Sequence, residues 1–313
     1  MNLKFYVGIT DKDWFQYLSA MRPDEVNFWQ PSGETNFKVI STNELFLFKL
    51  HLPDNYIVGG GVFVRQSFLP VSLAWEAFGD KNGTQTIEEL EKRLYKYKGT
   101  NRASDPDPKI SCLILAQPFF WEREKWINMD KIWPKSIQKG KGYDAETAEG
   151  RELYGEILKR ISMDVMKEDR EVVFVGEKKE RYGKEQIILP RLGQGAFRIV
   201  VTEVYNRRCA ISGEKTLPVL EAAHIKPFSM GGENITSNGL LLRKDMHTLF
   251  DRGLITVTKE HIIEVSKRIK SEYGNGREYY AYNGKQLANI PERPTEQPLQ
   301  ELLEWHNRNM FVA

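Results

Sequence analysis

Cysteine is scarce in this chain, with only Cys112 and Cys209 among its 313 residues. The two lie far apart and form no Cys-x-x-Cys pair, which excludes a structural zinc site made of cysteines and indicates a reducing compartment. No run of about 18 apolar residues occurs, which excludes a transmembrane helix, and the first residues lack the apolar core of a signal peptide. We therefore expect a cytoplasmic protein with no membrane partner.

An excess of charge of one sign is also missing. Lys and Arg number 45 against 43 Asp and Glu, which gives a formal net charge of +2. A strongly basic chain would indicate nucleic-acid binding over a large surface, and this composition does not. If DNA is the partner, local basic clusters must provide the contacts.

Length and composition favour a globular protein of two domains. A single domain usually spans about 100–200 residues, and this chain is longer. Its hydrophobic fraction of 41% and aromatic fraction of 12% allow each domain to bury its own core.

Two of the five histidines fall in one short segment that also holds an asparagine and an aspartate. His224 is followed by a Gly-Gly loop and then by Asn238, and Asp251 comes four residues after His247. Four residues make about one helical turn, so this imidazole and carboxylate share a helix face. Their nitrogen and oxygen donors suit a divalent metal. Each residue alone is more often an ordinary core or surface residue, but the ordered set is hard to obtain by chance.

This ordered set resembles the motif of HNH nucleases, a ββα-metal finger, over the residues from Cys209 to Lys267. The resemblance implies strands at 219–225 and 239–242, followed by a helix at 245–252. The resemblance implies that His224 is the general base. It implies that Asn238 braces the loop through hydrogen bonds to its backbone. It also implies that His247 belongs to the catalytic set and holds the metal together with Asp251. The expected ion is Mg²⁺ or Mn²⁺, with Ni²⁺ or Co²⁺ as alternatives.

One position departs from the family pattern. Many HNH nucleases carry Asp or His, a further metal ligand, directly before the general base, where this chain has Ala223. Glu221 lies two residues upstream, on the same predicted strand face, and could reach the metal or a water bound to it. A site with few protein ligands still suits Mg²⁺, which keeps several waters and binds substrate phosphate. Whether Glu221 compensates for Ala223 is left open by the sequence.

Basic pairs lie just before the motif, at Arg207-Arg208, and beside His247 within it, at Arg243-Lys244. Either pair alone is typical of a solvated surface. Beside a metal motif, we interpret all four side chains as contacts to DNA phosphates. One finger cuts one strand, so a double-strand break requires a homodimer or two binding events.

Short strands and peripheral helices are predicted in the first 135 residues. The predicted strands are at 44–50, 56–65 and 110–117, with the second broken by a Gly-Gly-Gly triplet, and the predicted helices are at 71–78 and 86–97. Short strands around glycine kinks favour a mixed β-barrel.

Three segments of this region, residues 28–33, 45–49 and 72–75, are similar to EVE-like members of the PUA superfamily, which read modified bases. The resemblance implies a pocket in which a flipped base stacks between aromatic rings. The residues expected around such a base are Trp29 and Trp75 as walls, with Phe28, Tyr56 and Ser32 nearby. Any one of these aromatic residues could instead belong to the core.

Residues 136–190 are predicted to link the two domains. A Lys/Gly-rich start precedes a bridging helix at 145–161 and a hairpin at 171–176 and 185–189. Residues 191–313 form the predicted nuclease domain, with helices at 197–205 and 298–313 around the finger. The expected fold is α+β: a PUA-like mixed β-barrel with peripheral helices at 1–135, a helical linker, and a C-terminal ββα-metal domain.

Together these resemblances predict a modification-dependent restriction endonuclease. Its substrate would be foreign double-stranded DNA that carries 5-methyl- or 5-hydroxymethylcytosine. One alternative is an HNH enzyme that reads phosphorothioate or a short unmodified sequence. Another is a non-cutting reader of modified DNA, in which Ala223 has cost the finger its activity.

Overall fold

The apolar runs of the first part of the chain form a sheet whose two faces are both buried. The computed structural model describes residues 3–31, 35–134, 136–168 and 192–313, and the chain divides into two compact units, Met1–Pro190 and Arg191–Ala313. The described elements of the first unit are β1 (Lys4–Thr10), α1 (Lys12–Met21), β2 (Glu25–Gln30), β3 (Leu45–Leu50), β4 (Tyr56–Pro70), α2 (Val71–Phe78), α3 (Ile87–Lys98), β5 (Lys109–Phe120), β6 (Ile127–Asn128), β7 (Gly140–Asp144) and α4 (Ala148–Glu168).

Alternation of side chains explains why the strands are apolar almost without interruption. In β3, Phe46 and Phe48 join one core cluster, while Leu47 joins a second cluster. Successive side chains of a strand point to opposite faces, so a strand covered on both faces must be apolar at every position. The strand order is β2-β5-β4-β3-β1-β7, with β6 paired to β4. The strands and helices predicted from the sequence in this region correspond to β3, β4, β5, α2 and α3.

The glycine triplet within β4 does not break the strand, contrary to the prediction. β4 continues through it and remains paired with both neighbours. A Cβ at Gly59 would collide with the carbonyl oxygen of Phe119 on β5, and one at Gly60 would lie 2.7 Å from the carbonyl oxygen of Phe46 on β3. The glycines therefore allow a close approach of three strands. In the sequence, a glycine triplet with this role looks the same as one that interrupts a strand.

Strand pairing among the described residues follows an open path that ends at β2 on one side and at β7 on the other. The predicted α+β class is confirmed. Closure of the sheet into a barrel is not confirmed by these pairings. The hairpin predicted at 171–176 and 185–189 lies outside the described residues.

Part of the stretch predicted as a linker belongs to the sheet and core of the first unit. β7 pairs antiparallel with β1, with Tyr143 opposite Phe5. On α4, Leu153, Ile157 and Ile161 pack in the same core cluster as Phe5. An edge strand is held mainly by backbone hydrogen bonds, which is why a Lys/Gly-rich segment can form one. These three apolar residues of the predicted bridging helix thus pack within the first unit.

A separate set of elements makes up the second unit. Its described helices and strands are α5 (Gln194–Val204), β8 (Leu220–His224), β9 (Gly239–Arg243), α6 (Lys244–Asp251), β10 (Ile255–Val257), β11 (Ile263–Val265), α7 (Arg268–Tyr273), α8 (Arg277–Tyr280) and α9 (Gln300–Asn309). The helices predicted around the finger correspond to α5 and α9. Among the described residues of the whole chain, no helix is long and apolar enough to cross a membrane.

The ββα arrangement predicted for the finger is present. β8 and β9 pair antiparallel, with His224 opposite Gly239, and α6 follows β9 directly. Met246 and Phe250 of α6 are fully buried. His247 and Asp251 each follow one of these core residues, so they lie together on the adjacent face of the helix.

Candidate active site

His224 ends β8, where the chain enters the Gly-Gly loop. Its ring stacks on Phe197 of α5, with centroids 4.0 Å apart and planes at 10°. Its Nε2 lies 2.8 Å from Oδ1 of Asn234. Burial lowers the pKa of His224, an effect that the hydrogen bond with Asn234 opposes. The imidazole is therefore mainly neutral near pH 7, the form that can accept a proton.

Asn238 is fully buried and holds the loop that follows His224. Its Oδ1 accepts a hydrogen bond from the backbone N–H of Lys226 at 2.9 Å. Its Nδ2 donates to the carbonyl oxygens of Lys226 at 3.0 Å and Glu233 at 2.9 Å. A single amide thus joins the two ends of the loop, and most of its hydrogen-bonding capacity is used.

His247 is held between two carboxylates. Its Nδ1 lies 2.9 Å from Oε2 of Glu221 on β8, and its Nε2 lies 3.3 Å from Oδ2 of Asp251. Partial burial raises the pKa of Asp251, against the attraction of the two nearby imidazoles. When Nδ1 donates to Glu221, the Nε2 lone pair lies on the side of Asp251, the arrangement by which a carboxylate orients a metal-binding histidine.

A cavity of about 260 Å³, which we call the His224 cavity, brings three predicted residues together. It is lined by Ala222, His224, Pro227, Phe228, His247 and Asp251. Ala223 is fully buried and does not line it, so Ala222 is the alanine of β8 that borders the cavity. Glu221 contacts His247 and does not line the cavity either.

The metal implied by the motif can be tested against the donors that are present. Among the described residues, no group of three or more His, Cys, Asp or Glu side chains is arranged to hold a metal ion. Nε2 of His247 and Oδ2 of Asp251 offer one nitrogen and one oxygen at the edge of the His224 cavity. This donor pair fits a divalent ion that keeps several of its waters and takes substrate oxygens as further ligands.

Two of the predicted phosphate contacts are engaged in ion pairs. Arg243 lies 2.5 Å from Asp245 and 2.7 Å from Glu278, and these carboxylates raise its pKa further. Arg207 lies 2.6 Å from Glu203, one helical turn away. Binding a phosphate through either guanidinium would require sharing it with a carboxylate.

The other two cations are more available. Arg208 is exposed, and Lys244 is half-exposed with its Nζ 3.8 Å from Glu221. Lys244 begins α6, the helix that carries His247. Of the four predicted contacts, Lys244 thus has a direct link to the side chains around the His224 cavity.

The first unit holds a larger cavity of about 650 Å³, which we call the Trp29 cavity. Its lining includes Asp11, Phe28, Trp29, His51, Arg93 and Tyr97. Of the five residues expected around a base, Trp29 and Phe28 line it. Trp75 on α2 and Tyr56 on β4 do not, and Ser32 lies outside the described residues.

Polar side chains of this cavity form a group that the sequence did not predict. The hydroxyl of Tyr97 donates to Oδ2 of Asp11 at 2.6 Å, and Nε2 of His51 lies 3.5 Å from Oδ1 of Asp11. Burial and the nearby carboxylate raise the pKa of Tyr97 to about 12, so its hydroxyl keeps its proton. Asp11 directly precedes α1, a position typical of a helix cap, yet its side chain makes no capping hydrogen bond.

Comparison with known proteins gives a family match for the second unit. Residues 209–258 match the family model described as HNH endonuclease. Among curated proteins, none matches the chain.

The solved structures that match the chain have low sequence identity and low TM-scores. ASCH from Zymomonas mobilis is 12% identical, with a TM-score of 0.33, over 48% of this chain and 94% of that one. The modification-dependent TagI restriction endonuclease is 12% identical, with a TM-score of 0.29, over 93% and 76%. The Type IV phosphorothioation-dependent restriction endonuclease ScoMcrA is 13% identical, with a TM-score of 0.18, over 78% and 46%.

The family match covers His224, Asn238, His247 and Asp251, the four residues of the ordered set. It also covers β8, β9 and α6, the three elements that position them. Residues 209–258 are therefore an HNH endonuclease domain, and the chain that carries it is a DNA endonuclease.

Proposed function

We propose that the chain is a modification-dependent DNA endonuclease that cuts with its second unit and reads modified cytosine with its first. One observation carries the cleavage part. Within the residues matched to the HNH family, the His224 cavity joins a neutral imidazole to the His247–Asp251 pair. A proton acceptor beside a pair of metal donors is the combination that phosphodiester hydrolysis requires.

In the proposed reaction, His224 removes a proton from the attacking water. The water oxygen bonds to phosphorus, the bond from phosphorus to the 3′ oxygen breaks, and that oxygen takes a proton from solvent water. The products are a 3′ hydroxyl and a 5′ phosphate. Asn238 keeps the loop after His224 in one conformation. A divalent ion held by His247 and Asp251 would stabilise negative charge on the phosphate and on the leaving oxygen.

Glu221 acts through His247 in this proposal. Its contact with Nδ1 directs the opposite ring nitrogen, Nε2, toward Asp251. Glu221 thus supports a ligand and does not replace one at Ala223. Partners of this kind commonly affect metal affinity by about 10–100-fold.

The Trp29 cavity supports the reading part of the proposal. The indole N–H of Trp29 donates to the carbonyl oxygen of Asn82 at 3.0 Å, which holds the ring in one orientation. Flipping a base out of a duplex costs a few kcal/mol, and stacking on an aromatic ring returns about 1–3 kcal/mol. Hydrogen bonds must provide the rest, and Asp11 can accept one from the amino group of cytosine, which thymine lacks.

The proposed role is restriction of foreign double-stranded DNA that carries 5-methyl- or 5-hydroxymethylcytosine. Host DNA without the mark would be spared. Each HNH site cuts one strand, so a double-strand break would require a homodimer or two binding events. Mg²⁺ or Mn²⁺ is the proposed ion, with Ni²⁺ and Co²⁺ as alternatives.

Cleavage of matched duplexes tests this function. The duplexes differ at one cytosine, which is plain, 5-methylated, 5-hydroxymethylated or glucosylated, and a further duplex carries a phosphorothioate linkage. Each is incubated with the protein and Mg²⁺, Mn²⁺, Ni²⁺ or Co²⁺. We expect faster cutting of a modified-cytosine duplex than of the plain one. His224→Ala should cut at least about 100-fold more slowly while binding that duplex normally.

The other outcomes separate the alternatives. Cutting restricted to the phosphorothioate duplex, or equal cutting of plain and modified DNA, would contradict the proposed mark. Binding of modified DNA without cleavage under every metal would identify a non-cutting reader.

A further inference from the structure

The side chain of Asn234 joins the histidine of the site to the segment that precedes α5. Its Oδ1 lies 2.8 Å from Nε2 of His224, and its Nδ2 donates to the carbonyl oxygen of Leu192 at 2.9 Å. Neither the motif nor the family pattern singled out this residue. It is a different asparagine from Asn238, whose contacts are all with backbone atoms of the loop.

Elementary hydrogen-bond chemistry fixes the orientation of the Asn234 amide. A backbone carbonyl can only accept a hydrogen bond, so the group facing Leu192 must be the NH₂ of the amide. The group facing His224 is then the amide oxygen, which can only accept. The Nε2 atom of His224 must therefore carry a hydrogen. In a neutral imidazole one nitrogen donates and the other accepts, so the lone pair is on Nδ1.

Helix α5, which follows that segment, holds the ring from a second direction. Phe197 lies five residues after Leu192, and its ring stacks on His224 nearly in parallel. Stacking restricts the plane of the imidazole, but it does not distinguish one ring nitrogen from the other. The hydrogen bond to Asn234 makes that distinction.

We propose that Asn234 is a positioning residue for hydrolysis: it holds His224 as the Nε2–H tautomer and leaves Nδ1 as the atom that takes the proton from water. This inference rests on the proposed role of His224 as general base. The water proton moves to Nδ1, and the resulting imidazolium keeps its Nε2–H bonded to the amide oxygen. Small losses of orientation at a reacting group cost up to about 100-fold in rate.

Three variants of the full-length chain test the proposal. Asn234→Ala removes both contacts of the amide. Asn234→Asp keeps an acceptor for Nε2–H and adds a negative charge beside it. Asn289→Ala is the matched control, since the Asn289 amide also donates to backbone carbonyls, those of Tyr205 and Arg208, without touching a histidine ring.

Single-turnover cleavage is measured from pH 5 to 9, together with DNA affinity and melting temperature. Asn234→Ala should cut about 10–100-fold more slowly, with DNA affinity changed less than about twofold. Its acid limb should move to lower pH, because imidazolium loses an acceptor. Asn234→Asp should recover much of the rate, and its acid limb should move up by about one pH unit or more, because a carboxylate stabilises imidazolium. Asn289→Ala should change the melting temperature and leave the pH profile in place.

NMR titration of ¹⁵N-labelled histidine provides a readout that does not depend on cleavage. The His224 signals should titrate lower in Asn234→Ala and higher in Asn234→Asp than in the parent. Shifts of the His224 pKa in opposite directions are expected if Asn234 contacts the ring directly. A general loss of structure would not produce them. Assignment of the signals uses His224→Ala.

The proposal and its premise fail in different ways. Normal cleavage by His224→Ala would remove the general base, and the inference with it. Slow cleavage by His224→Ala combined with an unchanged rate in Asn234→Ala would overturn the positioning role alone. The positioning role would also be overturned if Asn234→Ala cut slowly only because the variant is less stable. In that case its melting temperature would be lower and its pH profile would match that of the parent.

Discussion

Among the aromatic residues predicted to surround a flipped base, Trp29 is the best one for testing whether the side chain binds a base or only packs in the core. It lines the Trp29 cavity and is only partly buried, while its N–H is bonded to Asn82. Phe28, its neighbour in β2, lines the same cavity but is 5% exposed and belongs to the core. Trp75 is partly buried on α2, away from the cavity lining.

We expect Trp29→Ala to weaken binding of the modified duplex by about 1–3 kcal/mol, the usual contribution of a base stacked on an aromatic ring. Affinity for plain DNA should not change, because it depends on phosphate contacts and counterion release. Titration of both duplexes, followed by fluorescence anisotropy, measures the two affinities.

Trp75→Ala is the matched control for this substitution. It removes the same type of side chain from outside the Trp29 cavity, so it should leave the preference for modified DNA intact. The melting temperature of each variant identifies any loss of folding. If Trp29→Ala weakened both duplexes equally and lowered the melting temperature by many degrees, its role would be packing.

At the scale of single residues, the sequence predicted contacts between side chains that are close in the chain. His247 and Asp251 are one helical turn apart, and α6 places them 3.3 Å from each other. Asp11, His51 and Tyr97 come from three separate parts of the chain, so no local pattern could join them. Asn234 was not predicted for a related reason. The orientation of its amide is set by a hydrogen bond to the carbonyl oxygen of Leu192, 42 residues away in the chain.

Helix α9 packs on the second unit through two buried residues, Leu303 and His306. His306 is 1% exposed and stacks on Phe250 of α6 with centroids 3.8 Å apart. Its Nε2 donates to the carbonyl oxygen of Phe250 at 3.1 Å, and its Nδ1 accepts from the hydroxyl of Thr256 on β10 at 2.8 Å. Both nitrogens are paired in this neutral form, and burial lowers the pKa of His306 to about 4.

The second unit should therefore lose stability in mild acid. An unfolded histidine titrates near pH 6.5, so between pH 6.5 and 4 the unfolded state binds the extra proton and the folded state does not. Stability is fully present above pH 6.5 and falls by about 1.4 kcal/mol per unit as pH decreases through this window. The total effect of His306 is on the order of 3 kcal/mol.

Urea unfolding at pH 7, 6 and 5 measures this effect. With 5-fluorotryptophan, the fluorine signal of Trp305 reports the second unit, which has no other tryptophan. His306→Gln keeps an N–H donor but does not titrate, and it should flatten the pH dependence. Some slope should remain, since the pKa of His224 is also lowered. A slope equal to that of the parent would show that α9 docking does not depend on this proton.

Element prediction was accurate where an apolar pattern or the HNH resemblance places the element. The position of α9 follows from its apolar pattern, and those of the first finger strand and α5 follow from the resemblance. All three lie close to their predicted positions. β4 was misjudged, because a glycine triplet looks the same whether it interrupts a strand or lets three strands approach closely. The helix predicted at 145–161 corresponds to α4, but β7 was not predicted. β7 is held by pairing with β1, and pairing leaves no mark in the composition of an edge strand.

At the scale of the whole molecule, the division of labour between the units is a proposal that fragments can test. The unit boundary lies between Pro190 and Arg191, and the core residues of α4 belong to the first unit. A fragment that ends at residue 135 would lose Leu153, Ile157 and Ile161 from its core and expose the apolar face of the sheet. The fragment that tests reading should therefore span residues 1–190.

We expect fragment 1–190 to bind modified duplex in preference to plain duplex and to cut neither. Fragment 191–313 should cut both at equal rates, because it retains the His224 cavity and lacks the Trp29 cavity. Its apparent affinity for modified DNA should fall well below that of the full chain, since linking two binding units raises the local concentration of the second, often to the millimolar range. Anisotropy titrations and cleavage time courses, each at two salt concentrations, measure these quantities.

Mixing the two fragments should not restore preferential cutting of modified DNA, because the link is covalent in the native chain. Equal affinity of fragment 1–190 for both duplexes would remove reading from the first unit, and preferential cutting of modified DNA by fragment 191–313 would place it in the second.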